Sequence, residues 1–189
     1  MSTSNDPIVI VSAARTPVGA MQGELSSFAG HQLGSHAIKA AIERAELKPE
    51  QVQEVIMGCV LPAGQGQAPA RQAALGAGLP KATGATTINK VCGSGMKAAM
   101  FAHDLLVAGS QDIIVAGGME SMTNAPYMMQ KGRGGYRYGH ATLFDHMAYD
   151  GLEDAYDKMP NGGGKSMGLF AEDCAGKYTF TREDRKSVV

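Results

Sequence analysis

The chain has 189 residues, 44% of them hydrophobic, and a formal net charge of −1 from 17 basic and 18 acidic side chains. That suffices for one domain of ordinary size, or one domain with part of another, and the lack of tryptophan leaves the core to Ala, Val, Ile, Leu and Met. No basic block extends beyond Lys131, Arg133 and Arg137, which argues against a nucleic-acid surface, and no apolar run approaches the ~20 residues of a membrane span.

Short aliphatic runs alternate with helical patterns along the first two thirds of the chain. Ile8 to Ser12 reads as a buried strand, and Gln32 to Glu46 as a helix with Leu33, Ala37, Ile38, Ala41, Ile42 and Ala45 on one face. A second strand is expected over Glu54 to Val60. A small-residue helix follows from Ala68 to Ala77, stopped by Gly78-Leu79-Pro80. Ala85 to Asn89 reads as a third strand, Gly95 to Ala108 as a helix, and Asp112 to Ala116 as a fourth strand. Unalternated aliphatic strands separated by single helices predict an α/β fold, a mostly parallel mixed sheet with helices on both faces. After about Ser121 the character changes to glycine-rich turns, methionines and tyrosines, with helix expected near Leu143 to Tyr156 and Met167 to Lys177. We therefore divide the chain into an α/β domain over 1–121 and a loop region over 122–189. The ending from Thr181 to Val189 reads as the beginning of a helix.

One thiol has a distinctive setting. Cys92 follows the strand ending near Ile88 and precedes Gly93-Ser94-Gly95 and the next helix. Unpaired N–H groups and the positive end of the helix dipole favour an anion there. A thiolate so placed is expected to have a lowered pKa and to serve as a nucleophile near neutral pH. The small residues keep the first turn narrow, so a long substrate can approach the sulfur. A buried structural cysteine fits the local pattern equally well.

The other candidates are weaker. Cys59 and Cys174 lack a glycine-bracketed helix start and read as packing residues. Three widely spaced cysteines with no C-x-x-C pair predict neither a disulfide framework nor a zinc site, and point to a reducing compartment. Gly64-x-Gly66-x-x-Pro69 lacks the third glycine of a dinucleotide fingerprint and reads as a loop. Ser94 reads as a helix N-terminal residue, not a hydrolase nucleophile. His31 with His36, and His140 with His146, have spacings wrong for one helix face, so no metal is expected. His103 lies about 16 Å along the helix from Cys92. Met119, Met122, Met128, Met129 and Met167 suit either core filling or an acyl-chain pocket. The opening Met1 to Pro7 resembles neither a signal peptide nor a transit peptide, so a soluble cytoplasmic protein is expected.

Asn89-x-x-Cys92-Gly93-Ser94-Gly95-Met96 resembles the nucleophile signature of the thiolase family, the acetyl-CoA acetyltransferases. Other segments resemble the family in the same order. They are Ile8 to Gly19, Val115 to Met122, Asp150 to Ala155 and Met167 to Glu172. Ala99, where the family usually has a larger aliphatic residue, is a mild departure. The Asn89 and Gly118-Met119-Glu120-Ser121-Met122 wording favours thiolase over a condensing enzyme of fatty-acid type, which shares the fold and the cysteine.

The resemblance implies a thiolase-like layered fold and acyl transfer between CoA thioesters through a cysteine acyl-enzyme, in thiolysis or Claisen condensation. Cys92 matches the acyl-carrying residue and its N–H one oxyanion donor. Leu152 and Met167 match positions lining the CoA or acyl pocket. Coenzyme A enters as substrate, and no cofactor is implied. The stretch Arg133 to Gly139 resembles a loop of tetramer contacts, so the full-length protein is expected to be a homo-oligomer, dimer or tetramer. The activating histidine, second cysteine and asparagine-held water belong to the family's carboxyl half. So does the strand that completes the amino-terminal sheet. The chain is thus expected to be an amino-terminal portion, inactive alone, with a non-catalytic subunit that associates with full-length thiolase as the alternative. Ser166 stands where some members place a histidine, and Pro160 to Lys165 is inserted ahead of it.

Overall fold

The computed structural model describes residues 7–186, with side chains through Asp184. These form two compact units, Met1–Pro126 and Tyr127–Val189. Each is described by itself.

The first unit is built on a three-stranded parallel sheet in the order β2-β1-β3, with β1 Glu54–Gly58, β2 Gly84–Ile88 and β3 Ile114–Gly118. In β1, Val55, Ile56 and Met57 are all buried, which is why the strand reads as a continuous aliphatic run instead of alternating. Val55 and Met57 face α1 (Gly30–Arg44) and α2 (Pro69–Gly76) in a core with Ile38, Ile42, Ala70, Ala73 and Ala74. Ile56 faces the other way, against Ala98 and Ala102 of α3 (Ser94–Val107). Helices on both faces of a parallel sheet are what the alternating pattern requires. The buried stripe of α1 runs Gly30, Gly34, Ile38, Ile42, a spacing of four that keeps one face inward. At the far end of α2, Gly78 takes the left-handed conformation at φ +91°. The Leu79 N–H then donates to Ala74 O and the Gly78 N–H to Leu75 O, the double closure that stops the helix.

The opening segment departs from expectation. Ile8 to Ser12 forms no strand, and Val9, Ile10 and Val11 are 63%, 91% and 70% exposed. Its composition suits a strand, but a strand exists only against a hydrogen-bonding partner. Among the described residues no sheet takes this segment as a member.

The second unit holds two antiparallel ribbons, β4 (Tyr127–Met128) with β5 (Phe144–Asp145), and β6 (Glu153–Lys158) with β7 (Gly164–Ser166). A six-residue π-helix, Met147–Leu152, leads into β6. The helix expected through Tyr156 therefore ends at Leu152, and Glu153 onward is strand, because Glu153 finds a ladder partner in Ser166. The Pro160 to Lys165 stretch forms the hairpin tip and the start of β7, closed by the Met159 N–H donating to Gly163 O at 2.8 Å. The helix α4, Met167–Tyr178, lies where the sequence put it. The last element, α5 (Arg182–Lys186), opens with a reciprocal cap between Thr181 and Asp184. Residues 187–189, the rest of the helix expected there, lie outside the described residues.

Candidate active site

The carboxyl ends of the three strands are level. Gly58 pairs with Ile88 on one side and Gly118 on the other. The ladder extends one step beyond each pair, with the Cys59 N–H donating to Ile88 O at 3.0 Å and the Met119 N–H to Gly58 O at 2.9 Å. Ligands of open parallel sheets collect at this edge.

α3 starts directly over it. A Cβ on Gly58 would stand 2.6 Å from the Ser94 Cβ and 2.7 Å from the Ser94 carbonyl carbon, so only glycine lets the helix seat this deeply. Between β2 and α3 the chain makes a tight turn with Val91 at φ +45°. A β-branched residue in the left-handed region carries strain on the order of 1–3 kcal/mol and needs its surroundings to hold it. Three contacts do so. Asn89 Oδ1 accepts the Val91 N–H at 2.8 Å, and the buried Ser94 hydroxyl accepts the Lys90 N–H at 2.8 Å and donates to Val91 O at 2.6 Å.

Cys92 sits on this turn, one residue before the α3 N-cap Gly93, and is exposed. Within the described residues the thiol is therefore not packed in a core, unlike the structural cysteine that the local pattern also allows. Ser94 is the first residue of α3, with its hydroxyl engaged by the turn. His103 is an exposed residue of α3 whose near neighbour is Asp104, at 3.5 Å.

The other two thiols differ from each other. Cys59 is buried beside Glu120 and Gln65, with Sγ 3.6 Å from Glu120 Oε1 and 3.3 Å from Gln65 Nε2. Burial first, and the Glu120 charge second, push its pKa from an ordinary 9.0 up to about 11. It stays a thiol at neutral pH. Cys174 is exposed on α4, which corrects its reading as a packing residue. Its neighbour Ala175 takes the buried position of that helix.

Leu152 and Met167 belong to the second unit. Leu152 ends the π-helix and Met167 begins α4. The Glu153–Ser166 pair joins their chain neighbours, so the two residues leave the β6–β7 ribbon at the same end, both partly exposed. The Arg133 to Gly139 stretch is exposed throughout. Among the methionines, Met119 is in the core, while Met122, Met129 and Met167 are exposed. The turn Gly64 to Gly66 is indeed a loop, with both glycines at positive φ, leading to Pro69 at the first position of α2.

Two residues quoted in the sequence only as parts of longer motifs make the contacts that shape this edge. Glu120 accepts the Val60 N–H at 2.8 Å and the Leu61 N–H at 3.0 Å, and Asn89 Nδ2 donates to Val60 O at 3.3 Å. No spacing rule finds these contacts, since the partners follow the ends of different strands.

A family model described as thiolase, N-terminal domain, matches residues 8–188. Acetyl-CoA acetyltransferase A, mitochondrial, of Xenopus laevis is 54% identical over 180 residues, 95% of this chain and 41% of that protein. The acetyl-CoA acetyltransferase of Cupriavidus necator is 53% identical over 176 residues, 93% of this chain and 43% of that protein. Acetyl-CoA acetyltransferase IB of Candida tropicalis is 49% identical over 180 residues, 95% and 43% of the two chains. This chain thus spans about two fifths of the length of the curated relatives it matches. With the nucleophile-signature turn at the carboxyl edge of a parallel sheet and a match over nearly its whole length, the chain belongs to the thiolase family.

Proposed function

We propose that the chain carries the acyl-accepting part of a thiolase site, with Cys92 as nucleophile in acyl transfer between CoA thioesters. The observation that carries this reading is the exposed Cys92 thiol on a braced turn one residue before the α3 N-cap, at the carboxyl edge of the sheet. In the reaction the Cys92 thiolate forms a bond to the thioester carbonyl carbon. The carbon–sulfur bond to CoA then breaks, and CoA leaves as a thiol after taking a proton. The acyl group next passes to a second CoA species, regenerating the thiolate. The Cys92 N–H serves as one donor to the oxyanion of the tetrahedral step.

The 127–189 unit is read as part of the family's substrate-binding loop domain. Leu152 and Met167, which leave one end of the same ribbon, contribute to the CoA or acyl pocket. Arg133 to Gly139 supplies contacts between subunits of a homo-oligomer. Three unpaired thiols fit a reducing compartment such as the cytoplasm. Among the described residues no helix is long and apolar enough to cross a membrane. By the family's pattern the base and the second cysteine lie outside residues 1–189, so these residues alone catalyse no acetoacetyl-CoA thiolysis.

Alkylation by iodoacetamide tests the nucleophile. At pH 7 Cys92 is expected to react faster than Cys174, which is also exposed, and Cys59 last. Faster labelling of Cys174 overturns the assignment, and turnover by residues 1–189 alone overturns the division of the site.

A further inference from the structure

Beyond the nucleophile itself, the carboxyl edge holds a chain of polar contacts that starts at a carboxylate and ends at the turn bearing Cys92. Glu120 lies two residues past β3, and its two oxygens each accept a backbone N–H from the segment leaving β1, Val60 at 2.8 Å and Leu61 at 3.0 Å. Hydrogen bonds to an ionised acceptor are about twice as strong as neutral ones, so this bidentate grip fixes the Val60 peptide. The Val60 carbonyl in turn accepts the Asn89 Nδ2–H at 3.3 Å. That contact orients the asparagine amide, with nitrogen toward Val60 and Oδ1 toward the Val91 N–H at 2.8 Å. Val91, at φ +45°, is the residue whose strained backbone delivers Cys92 to the surface.

We propose that Glu120 and Asn89 are positioning residues for Cys92, a relay across three strand ends that holds the nucleophile turn. The proposal rests on the reading of Cys92 as nucleophile. Each link is specific to its residue. Asn89 must donate on one side and accept on the other, which aspartate and leucine cannot do. Glu120 must accept twice, which glutamine can do only once while presenting an amide N–H to the second donor. The alternative is that Glu120 acts on the thiol through its charge alone. The two roles differ in sign. If such a charge effect reached Cys92, removing the charge would favour the thiolate and speed its reaction, whereas loosening the turn slows it.

The test measures iodoacetamide alkylation of Cys92 from pH 6 to 10 in the 189-residue chain, with Cys174 in the same sample as reference. Glu120→Gln and Asn89→Ala are each expected to lower the Cys92:Cys174 rate ratio by about three- to tenfold, the equivalent of one hydrogen bond. The double variant is expected to fall no further than the larger single effect, because both act through one route. Asn89→Leu, a neutral change at an exposed site, is expected to show the same fall, since it loses both the Val91 acceptor and the Val60 donor without adding a charge. An unchanged ratio in the Asn89 variants, a raised ratio in Glu120→Gln, or an additive double variant overturns the relay. Wild-type Cys92 reacting no faster than Cys174 overturns the nucleophile reading instead. A fast wild-type Cys92 with unaltered variants overturns the positioning role alone.

Discussion

Gly58 and Ser94 stand against each other at the centre of the carboxyl edge, with no room for a methyl group between strand and helix. A Cβ on Gly58 would meet the Ser94 carbonyl carbon at 2.7 Å and the Gly95 nitrogen at 2.8 Å, both backbone atoms that move only if α3 moves. Gly58→Ala is therefore expected to destabilise the fold by about 1–3 kcal/mol, the usual range for forcing a methyl into a packed interior. Urea unfolding curves check this, and a midpoint equal to that of the parent chain would show that α3 yields freely.

Ser94→Ala tests the brace from the helix side. The substitution removes an acceptor for the Lys90 N–H and a donor to Val91 O. Lys90 is exposed, so water replaces part of the loss, and the expected cost is about 1 kcal/mol. Amide exchange of Lys90 should quicken while exchange in the α3 interior stays near its original rate. Equal acceleration along all of α3 would mean that the hydroxyl holds the helix and not the turn.

The buried Cys59 thiol makes stability depend on alkaline pH. Its pKa is raised from 9.0 to about 11 on folding, chiefly by burial. Below pH 9 both states keep the proton and the favourable difference is fully present. As pH rises from about 9 to 11 the unfolded chain gives up the proton and the folded chain does not, so stability falls. The loss approaches about 3 kcal/mol for this one group. Cys59→Ala should lower stability at pH 7 through lost packing, yet flatten the decline between pH 9 and 11. A decline equally steep in the variant would assign the pH dependence to other groups.

The apolar opening segment predicts association. Val9, Ile10 and Val11 are well exposed and no described strand pairs with them. Unpaired β-prone runs of this kind recruit other chains. Residues 1–189 are expected to sediment as self-associated species, and Ile10→Asp to reduce the mean mass without moving the thermal transition. A parent chain that sediments as a monomer with a sharp melt would count against this prediction.

Where a pattern is carried by neighbours in the chain, the sequence by itself determined the outcome. Continuous aliphatic runs gave β1 and β2 within a residue or two, and β3 two residues later than expected. Small-residue periodicity gave α2, and Gly78 its stop. The order strand, cysteine, small residues, helix by itself places Cys92 ahead of α3. These features depend on side-chain size, backbone freedom and a 3.6-residue period, all of which are local. Tertiary structure decided the rest. Ile8 to Ser12 has the composition of a strand but no ladder partner among the described residues, whereas Glu153 to Lys158 has little strand character and becomes one because Ser166 and Gly164 lie opposite. Cys59 and Cys174 look alike in sequence, and only packing buries the first and leaves the second in water. The grip of Glu120 on Val60 and Leu61, and of Val60 on Asn89, spans about thirty to sixty residues of chain. Such contacts leave no periodic trace, because hydrogen bonds between strand ends depend on which strands become neighbours and in what register.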